Sequence, residues 1–277
     1  MTLITTTIPA PRAPHYSLRG VMRSEWTKMR SVRSTTWTLA LTIVLTVGVG
    51  LIAAGTENGH WAHVSASDRL TFDPTNLSLT GLLVGQLTIG ILGVLVISAE
   101  YGTGTIRASL AAIPNRPLFL AAKAATFALV ALVVGEFVSF VAFLVGQAII
   151  SSPVPHASIG QAGVLRAVVG GGLFLAVLGL LALGLGSIVR HTAGALAAFV
   201  GVLLILPALL PAFPTSVQHA VSKFLPTTIG SAMTTVNPHL GKGASPTFSP
   251  WTGLLILAAY AACALAIGGW RLVRRDA

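Results

Sequence analysis

The chain has 277 residues, 54% of them hydrophobic and only 9% charged, with a formal net charge of +10 and a mean hydropathy of +0.84. A soluble domain carries about a quarter charged residues, and apolar runs of roughly 20 residues exceed what core helices need, so a soluble fold is excluded. The cations lie between the apolar runs, where they set membrane topology, so the basic balance does not point to nucleic acid.

Residues 1–17 are rich in Thr and Pro and predict a disordered tail. Residues 18–277 read as one membrane domain. In 18–34, Met22, Trp26, Met29 and Val32 share one helical face, ringed by Arg19, Arg23, Lys28 and Arg30. That pattern predicts a basic amphipathic helix in the inner interface with Trp26 as anchor. Its candidate contact residues are Arg23, Glu25, Trp26, Lys28 and Arg30.

Charge-poor windows then predict six spans, at about 35–54, 77–99, 124–150, 167–189, 193–210 and 251–270. Inside lipid every backbone group must be satisfied within its own element, so the spans are helices and the fold is all-α. With the N-terminus inside, only Arg69, Arg166, Lys223 and Lys242 of the 17 Lys and Arg fall outside. This positive-inside asymmetry places both termini in the cytoplasm, as an even span count requires. A multi-pass protein of the plasma membrane is expected.

Several features between and within the spans carry possible chemistry. The outer loop 55–76 holds His60, Trp61, His63, Asp68 and Asp73. A His-x-x-His pair without the frame of a metalloprotease is weak support for a metal, and a polar loop is expected. Gly81-x-x-x-Gly85, with Gly93 on the same face, suits close helix packing. Glu136 interrupts the third span. Ionised side chains at that depth cost about 2.5–3.5 kcal/mol on insertion scales, so Glu136 is a substrate contact, a proton carrier or one end of a structural hydrogen bond. Gln86, Ser139 and Gln147 are candidate neighbours.

The outer segment 211–250 shows a stripe of Val217, Ala220, Val221, Phe224 and Leu225 after a Thr215/Ser216 cap, then Ile229, Met233 and Val236 after Pro226. Two short amphipathic helices, dipping in as a hairpin, are expected. Cys263 is the single cysteine, which excludes a disulfide within the chain and a cysteine metal cluster. Gly241-Lys242-Gly243 lacks the upstream glycine of a phosphate-binding loop, so nucleotide chemistry, if used, belongs to another chain.

The stretch 99–117, AEYGTGTIRASLAAIPNRP, is the polar break between spans 2 and 3. Thr103 or Thr105 can cap a helix on which Ile106, Leu110 and Ile113 form one apolar face, with Pro114 and Pro117 as stops. A plain turn needs only a few residues, so the extra helix suggests a docking partner.

Three segments resemble the permease of the ABC type-2 transporter family, of the type common in high-GC Gram-positive bacteria. Arg23-Ser24-Glu25-Trp26-Thr27-Lys28-Met29-Arg30-Ser31 resembles the family's R-S-E-W-T-K-L-R-S opening. Glu100-Tyr101, Gly104-Thr105-Ile106-Arg107, Pro114, Arg116 and Lys123 resemble its E-Y-x-x-G-T-I-R…P-x-R…K inner loop. Arg190-His191-Thr192-Ala193-Gly194 resembles its turn between spans 4 and 5. The likeness runs from about residue 20 to the end.

The resemblance implies a dimer of six-span permeases, homo- or heterodimeric, above two cytoplasmic ABC ATPase subunits. ATP and Mg would sit on those partners, leaving this chain non-catalytic and without a cofactor. Residues 99–117 would be the coupling helix, with Glu100, Tyr101, Gly104, Thr105, Ile106, Arg107, Leu110, Ile113 and Arg116 as its candidate contacts. Glu100 and Arg107 would supply polar contacts to the ATPase, and the apolar face would hold the helix to membrane or partner. Efflux of an amphipathic drug, antibiotic, peptide or lipid-like substrate would follow. The alternatives are a non-transporting sensor or immunity protein on the same fold, or an ion-coupled transporter using Glu136.

Overall fold

The computed structural model describes residues 17–236 and 247–274. The tail predicted over 1–17 lies outside them except for Ser17, as does Gly241-Lys242-Gly243. In chain order the helices are α1 (Leu18–Ser31), α2 (Arg33–His60), α3 (Ala66–Leu70), α4 (Pro74–Ser78), α5 (Leu82–Gly102), α6 (Thr105–Ala112) and α7 (Arg116–Ile149). They continue as α8 (Val164–Val189), α9 (Thr192–Val200), α10 (Leu206–Leu209), α11 (Thr215–Ser222), α12 (Pro226–Thr234) and α13 (Pro250–Arg274). There is no strand among the described residues. Among the described residues six helical stretches are long and apolar enough to cross a membrane: α2, α5, α7, α8, α9 with α10, and α13.

The helices overrun the predicted windows because polar residues at their ends are used as caps and ties. α2 continues past 54 to His60, and Asn58 pins that end to α7. Its Nδ2 donates to the Ile149 carbonyl at 2.8 Å, and its Oδ1 accepts from the Ser151 N–H at 3.0 Å. The predicted polar loop after it has an apolar centre, where buried Trp61 meets Phe72 edge-on at 4.8 Å. The second span starts at Leu82 rather than 77, because Asp73 caps a separate α4 by accepting from Thr75 and Asn76 N–H. The third starts at Arg116 rather than 124. Pro117 starts this helix instead of stopping the last one: Asn115 caps it, and a first-turn proline forfeits no hydrogen bond.

α8 lies at the centre, packed along α5, α7 and α13. Lipid tails are as apolar as leucine, so small residues that admit close backbone contact decide which faces turn inward. A Cβ on Gly93 of α5 would stand 2.4 Å from the Gly179 carbonyl oxygen of α8, and one on Gly184 would stand 2.7 Å from Ala264 Cβ of α13. The inner face of α2 carries Thr35, Thr42, Thr46, Gly50 and Ala54, while Trp37, Leu41, Val44 and Ile52 are exposed. Gly81 and Gly85 meet Thr46 of α2, so this pair packs within the bundle.

The fifth span contains a π-helical turn, Gly201–Ile205, just before Pro207. Proline lacks an N–H and its ring clashes with the carbonyl four residues back, which widens the turn. Beyond it, the two predicted short helices form, with Pro214 rather than Thr215 or Ser216 at the first N-cap and Pro226 opening the second. Only α12 enters the bundle, burying Ile229 and Met233 against α8 and α13. Arg166 of α8 holds the chain after α12 by donating to the carbonyls of Met233, Thr235 and Val236.

Candidate functional site

α1, the C-terminal end of α5, α6 and the N-terminal end of α7 meet at one end of the bundle. α7 has 34 residues, about 51 Å at 1.5 Å per residue. The hydrocarbon core is about 30 Å thick, so the first turns of α7, up to Lys123, extend toward the interface. α1 lies on them with Val21, Glu25 and Met29 buried. An acid therefore occupies the middle of the packed stripe, and Trp26 and Val32, predicted on the apolar face, are about half exposed.

Glu25 is 1% exposed and Lys123 2%. Lys123 Nζ donates to Glu25 Oε2, to Glu100 Oε1 at 2.8 Å and to the Val96 carbonyl at 3.5 Å. Lys28 Nζ donates to Glu25 Oε1 at 2.7 Å, to Glu100 Oε1 at 3.1 Å and to Ser109 Oγ of α6 at 3.0 Å. An ammonium has three donors, and each of these two uses all three. Both also lie over the Phe119 ring, at 5.6 and 5.2 Å. Two acids and two bases thus alternate with no net charge. Removing ions from water is costly unless geometry and hydrogen bonds compensate; here every ammonium proton has an acceptor, and Glu100 Oε2 alone lacks a partner.

Burial works against the Lys28 charge, but the hydrogen bond and charge of Glu25, then those of Glu100, outweigh it and raise its pKa above the ordinary 10.5. A raised base stabilises the fold fully below its ordinary pKa, and loses that contribution as pH climbs through the raised value. Wild type is therefore expected to out-melt Lys28→Met by a constant margin up to about pH 10 and by a shrinking one above it. Thermal unfolding of both proteins across that range checks this; a margin that falls instead between pH 7 and 9 contradicts the assignment.

The expected site residues divide into inward and outward sets. Glu100, predicted to reach a partner, is turned inward onto Lys28 and Lys123. Ile106 and Ile113, at 2% and 8% exposure, are buried in this chain's own core, with Leu110 partly so. Gly104 rather than Thr103 or Thr105 is the N-cap of α6, at φ +73°, where glycine alone is unstrained. Tyr101 stacks under the Arg190 guanidinium at 5.4 Å. Arg116 Nη1 donates to the Leu272 carbonyl at 2.8 Å, tying α7 to the last turn of α13. Arg107, Thr105, Ala108, Ala111 and Ala112 form the exposed face of α6, and Arg23 and Arg30 are exposed on α1.

Sequence reading left Lys123 and Ser109 out of the site. The available signal was Glu25 itself, one helical turn from both Val21 and Met29, which forces a buried base to exist somewhere. Glu136 stands apart from this junction. Its carboxyl packs on Gly172 of α8, where a Cβ would lie 2.6 Å from Glu136 Cδ, and Oε2 is buried without a partner. None of its expected neighbours reaches it. Ser139 donates to the Val168 carbonyl, Gln147 to Pro74 and Ser78, and Gln86 borders a separate cavity of about 120 Å³ beneath α12.

The junction joins α1, α5 and α7 through ions and adds α6 through the Ser109 hydroxyl. Among curated proteins, none matches this chain. The family described as ABC-2 family transporter protein matches residues 21–206, a stretch that opens at α1, contains the whole junction and runs into the fifth span. With six described helical stretches long and apolar enough to span a membrane and more than half of the chain matched, this protein belongs to the ABC-2 family of transporter membrane subunits.

Proposed function

We propose that this chain is the permease through which a separate cytoplasmic ABC ATPase drives export of an amphipathic substrate, and that α6 seats on that ATPase. The four-helix ion junction carries this reading. A short helix linking two spans would bend when pushed. α6 cannot move independently, because Ser109 is bonded to Lys28, which is bonded to Glu25 of α1 and Glu100 of α5, and both acids hold Lys123 of α7. Hydrogen-bonded ions in a low-dielectric setting form a stiff network. A displacement of α6 is therefore delivered to spans 2 and 3 together.

The basic end of the bundle supports a cytoplasmic position for α1, α6 and both chain ends in the plasma membrane. ATP and Mg belong to the ATPase, and a second permease copy completes the assembly. Transport is driven only if substrate binds the inward and outward states with different affinity.

The test is co-purification with candidate cytoplasmic ABC ATPase subunits co-expressed with this chain. Ala108→Arg with Ala111→Arg changes the exposed face of α6 and leaves Ile106 and Ser109 in place. Retained ATPase is expected to fall roughly tenfold or more, as loss of a central contact does, while membrane insertion and melting stay as in wild type. Ile106→Asp is the wrong probe, since it breaks the permease core. Equal capture by the variant, or a wild type that never holds the ATPase, sinks the docking role and brings ion-coupled transport through Glu136 forward.

A further inference from the structure

Between α1 and α7, on the side away from the ion junction, lies a groove of about 600 Å³ bordered by Ser17, Arg19, Met22, Arg23, Trp26 and Leu129. We propose that this groove binds one anionic phospholipid of the adjacent leaflet, its phosphate between Arg19 and Arg23 and an acyl chain along α7. Three observations select that occupant.

The two arginines lie one turn apart on the same face of α1, and neither has a side-chain hydrogen bond or ion pair among the described residues. The described acids at this end are committed: Glu25 and Glu100 both hold Lys28 and Lys123. Among the described residues no acid at this end is left for the two guanidiniums, so they call for another anion, and paired guanidiniums match phosphate geometry.

The second observation is apolar. Leu129 at the groove is followed by Val133 and Phe137, each one turn further along α7, at 55%, 60% and 54% exposure. This rail leads from the arginines along the lipid-facing side of the span. Trp26, 48% exposed, stands at the mouth, where an amphipathic ring suits the headgroup level. A free phosphate would leave the rail unused; a phospholipid uses both ends. The third observation concerns the chain before Ser17. Its one Lys or Arg is Arg12, and it has no Asp or Glu, so it cannot neutralise the groove.

The purified full-length chain is equilibrated in detergent with equal amounts of phosphatidylglycerol and phosphatidylcholine, washed, and its retained lipid extracted and quantified by mass spectrometry. Wild type is expected to hold phosphatidylglycerol over phosphatidylcholine by roughly thirtyfold, since each of the two arginines contributes about fivefold near an anionic lipid. Arg19→Gln with Arg23→Gln brings the ratio close to parity; Arg33→Gln, an exposed arginine at the start of α2, leaves it unchanged. Should the double variant purify poorly, Arg23→Gln alone is read, with an intermediate ratio expected. No preference in wild type overturns the proposal. So does an equal loss in Arg33→Gln, which would mark general charge. Displacement by soluble glycerol phosphate would mark a plain phosphate site and also overturns it. The measurement uses the permease alone, so its outcome is independent of whether α6 seats on an ATPase.

Discussion

Lys123→Met is expected to unfold this permease under conditions where wild type is stable. The substitution removes one base from a junction in which Glu25 is 1% exposed and cannot turn to water. Breaking a buried ion pair by deleting one partner costs about 3–5 kcal/mol, because the remaining charge is stranded. Total native stabilities are only about 5–15 kcal/mol. The readout is the fraction of monodisperse protein surviving a temperature series. Rescue separates charge from packing: adding Glu25→Gln to Lys123→Met removes the stranded carboxylate, leaves Lys28 and Glu100 as an opposite pair, and should recover part of what Lys123→Met alone loses. A Lys123→Met protein that melts like wild type, or a Glu25→Gln addition that recovers nothing, would show that the junction does not hold α1 in place.

Gly81→Val is the second large effect. A Cβ at Gly81 would fall 1.7 Å from the Thr46 carbonyl oxygen of α2 and 2.7 Å from the carbonyl carbon. The obstacle is backbone, so no rotamer change relieves it, and α2 must separate from the start of α5. Overpacking a core costs about 1–3 kcal/mol when side chains can adjust; here they cannot, and the loss should be at least that large. The internal control is Gly48→Val on α2, where nothing lies within 4 Å of the added atom. Its melting temperature should stay near wild type. Equal behaviour of the two variants would mean that α2 and α5 do not touch as described.

Much of this architecture is visible in the sequence, for a reason specific to membranes. A bilayer filters segments by length and charge, both one-dimensional properties, so the six spans could be read from charge-poor windows alone. α6 was visible too, because Ile106, Leu110 and Ile113 recur at helical spacing between two spans. Helix ends were less legible. Asp73, Asn115 and Asn58 are polar and read as loop, yet each caps a helix or ties one helix end to another. Pro117 reads as a stop and acts as a start, since a proline forfeits nothing in a first turn.

Charge partners were not legible at all. Glu25 beside Val21 and Met29 signals a buried base, but which base it meets depends on distances set by three separately packed helices. Tertiary structure paired Glu100 with Lys28 and Lys123 and buried Ile106, which leaves Arg107, Ala108 and Ala111 on the exposed face of α6. The sequence by itself determined the solvent this chain lives in, the number of spans and the family motif, because hydropathy and local spacing carry them. Only the tertiary structure decided which charges meet, since that choice follows from which glycine and small-residue faces let α5, α7 and α8 close together, and which part of α1 they leave room to receive.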